Sequence, residues 1–324
     1  MLVFIFDAHN DTLLKLLETS VEERDFMSNA GRHVSLSKVQ QAGISAQIFA
    51  IFVPPQSKAG LTLHTALKMV EIFWETVEAY PDSLGVVQSS EDFEHLMTTG
   101  KIACMLSLEG GDPLLGELSH LRLFYRLGVR ALTLTWNHRN ELADGVGEGR
   151  TALGISRFGR LVIHEMNHLG MIIDVSHLAE KGFWDVLTLS EDPVMASHSN
   201  ARSLCNHPRN LSDAQIRAIA NKGGVIGVNF YPGFLCAQSN GDASIDMVVE
   251  QISYLLKIGG CDCVGLGSDF DGIASTPLGL EDIATVPRLI PKLVAKGYSE
   301  AVVEKVMGKN FLRLVKSVLH FRAY

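Results

Sequence analysis

Short runs of apolar residues recur along the chain, and stretches with helical spacing separate most of them. Eight such runs stand out, at residues 2–6, 44–53, 102–108, 129–135, 171–175, 194–196, 224–230 and 263–267. They are rich in Val, Ile, Leu and Phe and show little alternation, which predicts strands buried on both faces. Between them, residues 12–17, 35–41, 61–80, 118–127, 156–169, 179–189, 213–221 and 244–258 read as helices, and residues from 286 onward as further helices. In residues 61–80, Leu63, Leu67, Val70, Phe73 and Val77 recur at helical spacing and form a core face, closed by Pro81. Ser212 is placed to cap the helix that follows it, Gly259-Gly260 to stop another, and Gly297 and Gly308 to break the last. Alternating strands and helices predict a parallel sheet with covered faces. Eight units point to an α/β fold of the (β/α)8 TIM-barrel type, one domain over residues 1–324 with C-terminal helices. An open doubly wound sheet is the competing arrangement.

The polar residues favour the barrel. The first strand leads into Asp7-Ala8-His9-Asn10-Asp11, where His9 and Asp11 point to one side if the extended chain continues. Glu109 follows the third strand, His177 the fifth, His198 the sixth, and Asp269 and Asp271 the eighth. The fourth leads into Trp136-Asn137-His138. In a barrel these strand ends meet on one face, where such folds carry their active sites.

Composition narrows the setting. The chain has 324 residues, is 47% hydrophobic and carries a net charge of -8. That balance argues against nucleic acid as a partner, since phosphate binding needs a basic face. No apolar stretch approaches the roughly 20 residues that cross a bilayer, so no membrane association is expected. The opening run lacks the basic flank of a leader, and the tail at 319–324 is short and partly charged. The five cysteines include no Cys-x-x-Cys pair, and Cys104, Cys261 and Cys263 lie in apolar runs. A reduced, cytoplasmic protein is expected. Neither a Gly-x-Gly-x-x-Gly after the first strand nor a phosphate-binding loop occurs, so nucleotide-dependent readings start weak.

Three histidines with carboxylates suit zinc or a similar divalent ion. Five ligands exceed the three that one open catalytic site needs. Two ions sharing a bridging carboxylate account for the surplus.

The motifs in this order resemble those of the renal-type (membrane) dipeptidases, metallopeptidase family M19 of the amidohydrolase superfamily. The resemblance covers nearly the whole chain. It rests on Asp7-Ala8-His9-Asn10-Asp11, Leu108-Glu109-Gly110-Gly111, Leu132-Thr133-Leu134-Thr135, Ile173-Asp174-Val175-Ser176-His177, Ser197-His198-Ser199, Arg209-Asn210 and Gly267-Ser268-Asp269-Phe270-Asp271-Gly272. The resemblance implies a (β/α)8 barrel with two Zn2+ ions per chain. His9 and Asp11 would hold one ion, His177 and His198 the other, and Glu109 would bridge them. A hydroxide shared by the metals would attack the amide of a small dipeptide, including one with a C-terminal D-residue. Asp269 would take the proton from that nucleophile and pass it to the leaving amine. Arg209 would pair with the free C-terminal carboxylate of the substrate. Family members are often dimers, and the resemblance suggests a homodimer here.

One departure concerns the fourth strand. Animal members carry a histidine directly after Leu-Thr-Leu-Thr, thought to touch the scissile carbonyl; this chain has Trp136 there. His138 or Asn137 is expected to meet the substrate instead, with polarisation of the carbonyl by the metal alone as the alternative. Three other readings compete. One is another amidohydrolase activity on the same metals, an N-acyl amino acid hydrolase or a lactonase. The second is a barrel that binds without catalysis, and the third a nucleotide-dependent protein. Asp7 is expected to support the site, Asp174 to be structural and to need a partner if buried, and Asp271 to hold its loop. The remaining histidines, His33 among them, read as surface or packing residues, with His207 a candidate for the pocket wall.

Overall fold

The computed structural model describes residues 3–28, 31–54, 59–235 and 243–319. Cys236 and the tail beyond 319 therefore lie outside the described residues. Among the described residues, nine strands form one parallel sheet: β1 Ile5–Asn10, β2 Ile44–Phe52, β3 Leu84–Val86, β4 Ile102–Glu109, β5 Val129–Thr133, β6 Ile172–Asp174, β7 Met195–Ala196, β8 Val225–Val228 and β9 Val264–Leu266. Pairing of β2 with β4, and of β1 with β9, closes eight of them into a barrel. These eight are the eight runs expected from the sequence. The ninth, β3, stands outside the ring. It pairs with β4 at Ile102 to Cys104, and β5 takes over that edge of β4 from Leu106. Leu84-Gly85-Val86 is too short and too broken by glycine to announce a strand. The helix Ser90–Thr99 was likewise unmarked in the sequence.

Two apolar layers hold the barrel. Side chains on the outer face of the strands pack against the surrounding helices, among them Ala59–Ala79, Arg157–Leu169 and Ile245–Gly259. The interior is filled by Phe6, Ala8, Ala46, Ile48, Ala103, Met105, Ala131, Ile172, Met195 and Val225. The last helix, Asn310–Val318, contributes Phe311, Leu314, Val315 and Val318 to that same interior cluster. The Phe6 ring lies 5.8 Å from Phe93 and 5.6 Å from Phe311. A filled interior directs the open functional surface to the C-terminal ends of the strands.

Local signals behave as their chemistry demands. Ser212 caps Asp213–Asn221 and forms a capping box with Gln215. Gly297 separates Leu289–Ala295 from Glu300–Glu304. Gly308 does not break the chain: a π-helical turn, Lys305–Lys309, runs through it. A Cβ there would lie 2.7 Å from the Phe4 carbonyl oxygen, so the missing side chain serves close packing. No helix among the described residues is long and apolar enough to cross a membrane.

Candidate active site

Glu109 ends β4 and stands between the histidines. Its Oε2 lies 3.4 Å from His9 Nε2, and its Oε1 lies 3.1 Å from His177 Nε2 and 3.6 Å from His198 Nε2. His9 Nε2 is also 3.6 Å from Asp11 Oδ2. The Nε2 atoms of His177 and His198 are 2.8 Å apart. All five residues are buried.

His9 reaches this point through an irregularity. Phe6 and Ala8 belong to the interior cluster, so strict alternation would turn His9 outward. The pairing of β1 with β2 slips between Asp7 and Asn10, the kind of defect that re-aims a side chain. Asp11 then leaves the extended conformation and stands at the head of Thr12–Glu18. The two converge, but not by the simple two-residue period.

Charge is concentrated here. Burial opposes ionisation of Glu109, yet His9 and His177 hold its carboxyl well below the usual range. Burial likewise opposes protonation of His9, but Glu109 and Asp11 outweigh it and raise His9 well above the ordinary value. His177 is lowered to about 4 by burial and by Arg209, and His198 is held well below the ordinary imidazole value by burial and His9. Burial and Glu109 push Asp11 up to about 6. Neutral imidazoles with buried lone pairs, beside carboxylates that demand positive charge, form a cation-binding donor set.

The surrounding bonds fix these side chains. Ser197 Oγ lies 2.7 Å from His198 Nδ1 and donates to Asp174. Asp174 also accepts from Thr133 Oγ1 at 2.7 Å and from the Ser197 backbone N–H at 2.9 Å, which gives it a structural part. Asp7 accepts from Ser268 Oγ at 2.6 Å and from its backbone N–H at 2.8 Å, so it ties β1 to the exit of β9. Asp271 accepts from Thr12 Oγ1 at 2.8 Å and from His33 N–H at 2.6 Å, and holds its loop.

Asp269 faces the cluster from the end of β9. Asn229 Nδ2 donates to its Oδ2 at 2.8 Å. Its backbone is left-handed, with φ of 63°. Burial pushes its carboxyl up to about 7; Asp11 and Glu109 add to the push, while His9 and Asn229 oppose it. A carboxyl poised there suits proton transfer near neutral pH.

A cleft of about 350 Å³ opens over the cluster, lined by Asp11, Glu109, His177 and Asp269. Phe52, Trp136, Tyr231 and Phe234 form an aromatic wall on it. Asn137 also lines the cleft, whereas His138 is exposed and outside the lining, its ring 5.6 Å from Trp136. Arg209 is buried beside the cleft, with its Cζ 5.5 Å from the Phe234 ring and its Nη2 donating to the His198 carbonyl at 3.1 Å. Its Nε has no partner among the described residues. Burial lowers its guanidinium to about 10, against the pull of Asp269 and Glu109. The His207 ring lies 4.6 Å from Phe234, tilted by 42°, and is outside the cleft lining.

The residues fit a metal. His9 Nε2 and Asp11 Oδ1 are buried with no hydrogen-bond partner among the described residues, which is costly unless a cation takes them. His9, Glu109 and His198 offer ligand atoms within 4.8 Å of one another, as do His9, Asp11 and Asp269.

The sequence profile of the membrane dipeptidases, peptidase family M19, matches residues 2–323. The chain belongs to family M19. An uncharacterized dipeptidase of Schizosaccharomyces pombe is 34% identical to this M19 chain, covering 96% of it and 80% of the yeast protein. Dipeptidase 3 of Mus musculus is 31% identical and covers 98% of this chain and 65% of the mouse protein. Among solved structures, a metallopeptidase of Rhodobacter sphaeroides bound to a phosphinate mimic of L-Ala-D-Ala is similar at a TM-score of 0.92 and 29% identity, over 98% of this chain and 99% of that one. M19 membership makes this protein a metal-dependent hydrolase of peptide bonds on a (β/α)8 barrel.

Asn229, Phe52, Tyr231 and Phe234 were missed in the sequence. Asn229 directly follows β8, and as a polar residue interrupting the apolar run 224–230 it could have been marked. Phe52, Tyr231 and Phe234 carry no such signal, because aromatic residues near strand ends equally mark a core.

Proposed function

We propose that this chain hydrolyses small dipeptides at two divalent ions, zinc by the nitrogen and carboxylate character of the donors. The observation that carries the reading is Glu109, whose two oxygens face His9 on one side and His177 with His198 on the other. In this reading His9 and Asp11 hold one ion, His177 and His198 the other, and Glu109 serves both. Bound divalent ions polarise a carbonyl and make water a nucleophile near neutral pH.

The chain's own residues do the rest. Asp269, as the anion, accepts the proton of the attacking water and returns it to the leaving amine. Asn229 holds that carboxylate in place from Oδ2. Arg209 takes the substrate's C-terminal carboxylate, and its unpartnered Nε supports this assignment. The aromatic wall of Phe52, Trp136, Tyr231 and Phe234 offers the apolar surface against which a small peptide would pack. The similarity to the Rhodobacter enzyme supports extending the range to a C-terminal D-residue. Cys104 and Cys263, buried thiols that burial pushes up to about 12, suit a reducing cytoplasm.

The test is a panel of L,L- and L,D-dipeptides, N-acyl amino acids and lactones against zinc-loaded protein. Turnover confined to free dipeptides supports the reading. Turnover of acyl amino acids or lactones with no dipeptide cleaved overturns it.

A further inference from the structure

Asn137 stands where β5 leaves the barrel, one residue after Trp136. Its Oδ1 lies 2.8 Å from His177 Nδ1. The other ring nitrogen of His177, Nε2, faces Glu109 Oε1 at 3.1 Å. A neutral imidazole has one N–H and one lone pair, and the bond made at one nitrogen decides where each lies. An amide oxygen only accepts. His177 therefore donates from Nδ1 and keeps its lone pair at Nε2, on the Glu109 side. His198 has the same arrangement with Ser197 Oγ at its Nδ1.

The backbones of the two residues are tied by one loop. Val146 N–H donates to the His177 carbonyl at 2.8 Å, and Gly147 N–H donates to the Asn137 carbonyl at 2.7 Å. The approach leaves no room for a side chain at Gly145 or Gly147. A Cβ on Gly145 would lie 2.2 Å from the Trp136 carbonyl oxygen, and one on Gly147 2.5 Å from the Asn137 carbonyl oxygen. His177 itself has φ of 65°, a left-handed conformation that neighbouring contacts must hold. Trp136 adds its ring, 6.1 Å from that of His177 at 30°. Bond, loop and ring all converge on the orientation of one imidazole.

We propose that Asn137 is a positioning residue: its amide oxygen fixes the tautomer and direction of His177, so that Nε2 is presented as a metal ligand. The inference rests on His177 being a ligand. It gives Asn137 a part that acts through His177 and does not require contact with substrate. With the amide turned about, its NH2 would donate to Nδ1, and Nε2 would carry the proton toward Glu109 and offer no lone pair.

Zinc affinity of the full chain, measured by competition with a chelator, tests this on Asn137→Asp, Asn137→Leu and Asn137→Ser. The aspartate keeps the acceptor and is expected to hold zinc within a few-fold of the unsubstituted protein. Leucine, and serine with its shorter reach, are expected to lose about 10- to 100-fold in affinity for one ion. The thermal midpoint of the metal-free protein should stay unchanged in all three. Undiminished affinity in the leucine variant overturns the proposal, as does an equal loss in the aspartate and leucine variants. An unsubstituted protein that binds no zinc overturns the metal reading itself, so the two failures are distinguishable.

Discussion

The Nε2 atoms of His177 and His198 face each other at 2.8 Å in a buried site. Burial holds both rings neutral. Two lone pairs meeting at one point repel unless a proton or a cation lies between them. Replacing His198 by Ala should therefore reduce bound metal by about one ion and slow dipeptide hydrolysis by about 10³-fold, equivalent to several kcal/mol. Elemental analysis and steady-state kinetics check both. Full metal content in this variant would contradict the assignment of His198.

If Asp269 is the base, it should set the acid side of the pH profile. Burial pushes its carboxyl up to about 7. A base must be ionised, so kcat/KM should fall as pH falls through this ionisation. Divalent cations beside the carboxylate favour the anion and move the limb below 7. Asp269→Asn should lose about 10²- to 10⁴-fold in kcat. A pH–rate series on dipeptide cleavage measures this, and an acid limb that persists in Asp269→Asn would assign it to another group.

Arg209 should decide between free and capped substrates. Its guanidinium is buried beside the cleft and its Nε is unpartnered among the described residues. Arg209→Leu should cost about 2–5 kcal/mol in kcat/KM for a free dipeptide. The same variant should lose most of the preference for that dipeptide over its C-terminal amide. Equal preference in both proteins would remove Arg209 from carboxylate recognition.

Gly267 joins fold to site. A Cβ there would lie 1.8 Å from the Ser197 carbonyl oxygen, next to His198. Gly267→Ala should destabilise the protein by about 1–3 kcal/mol and weaken metal binding together. Gly60, with nothing within 4 Å of a built Cβ and a place in Ala59–Ala79, is the control. Gly60→Ala should be neutral or stabilising by about 1 kcal/mol. Thermal unfolding of the two variants makes the comparison.

The barrel was legible because its strands are buried on both faces, so each is a run of apolar residues with a polar exit. Leu84–Val86 has neither the length nor the exit, and it lies outside the ring. The ligand-type residues were legible for the same reason: Glu109, His177 and His198 interrupt apolar sequence where a strand ends. What could not be read was the aim of side chains. His9 depends on a slip in strand pairing, and His138 is exposed and outside the cleft lining although it follows β5. The partnership of Asn137 with His177 spans 40 positions and depends on a loop whose path no local pattern encodes.

The part given to Glu109 is tested by the metal content of the unsubstituted chain and of Glu109→Gln. Glu109 is read as the carboxylate that serves both ions. About two divalent ions per chain are expected in the first protein. In the second, which keeps the shape but loses the charge, about one ion and dipeptide hydrolysis should be lost. A single tightly bound ion that survives Glu109→Gln unchanged would contradict that part.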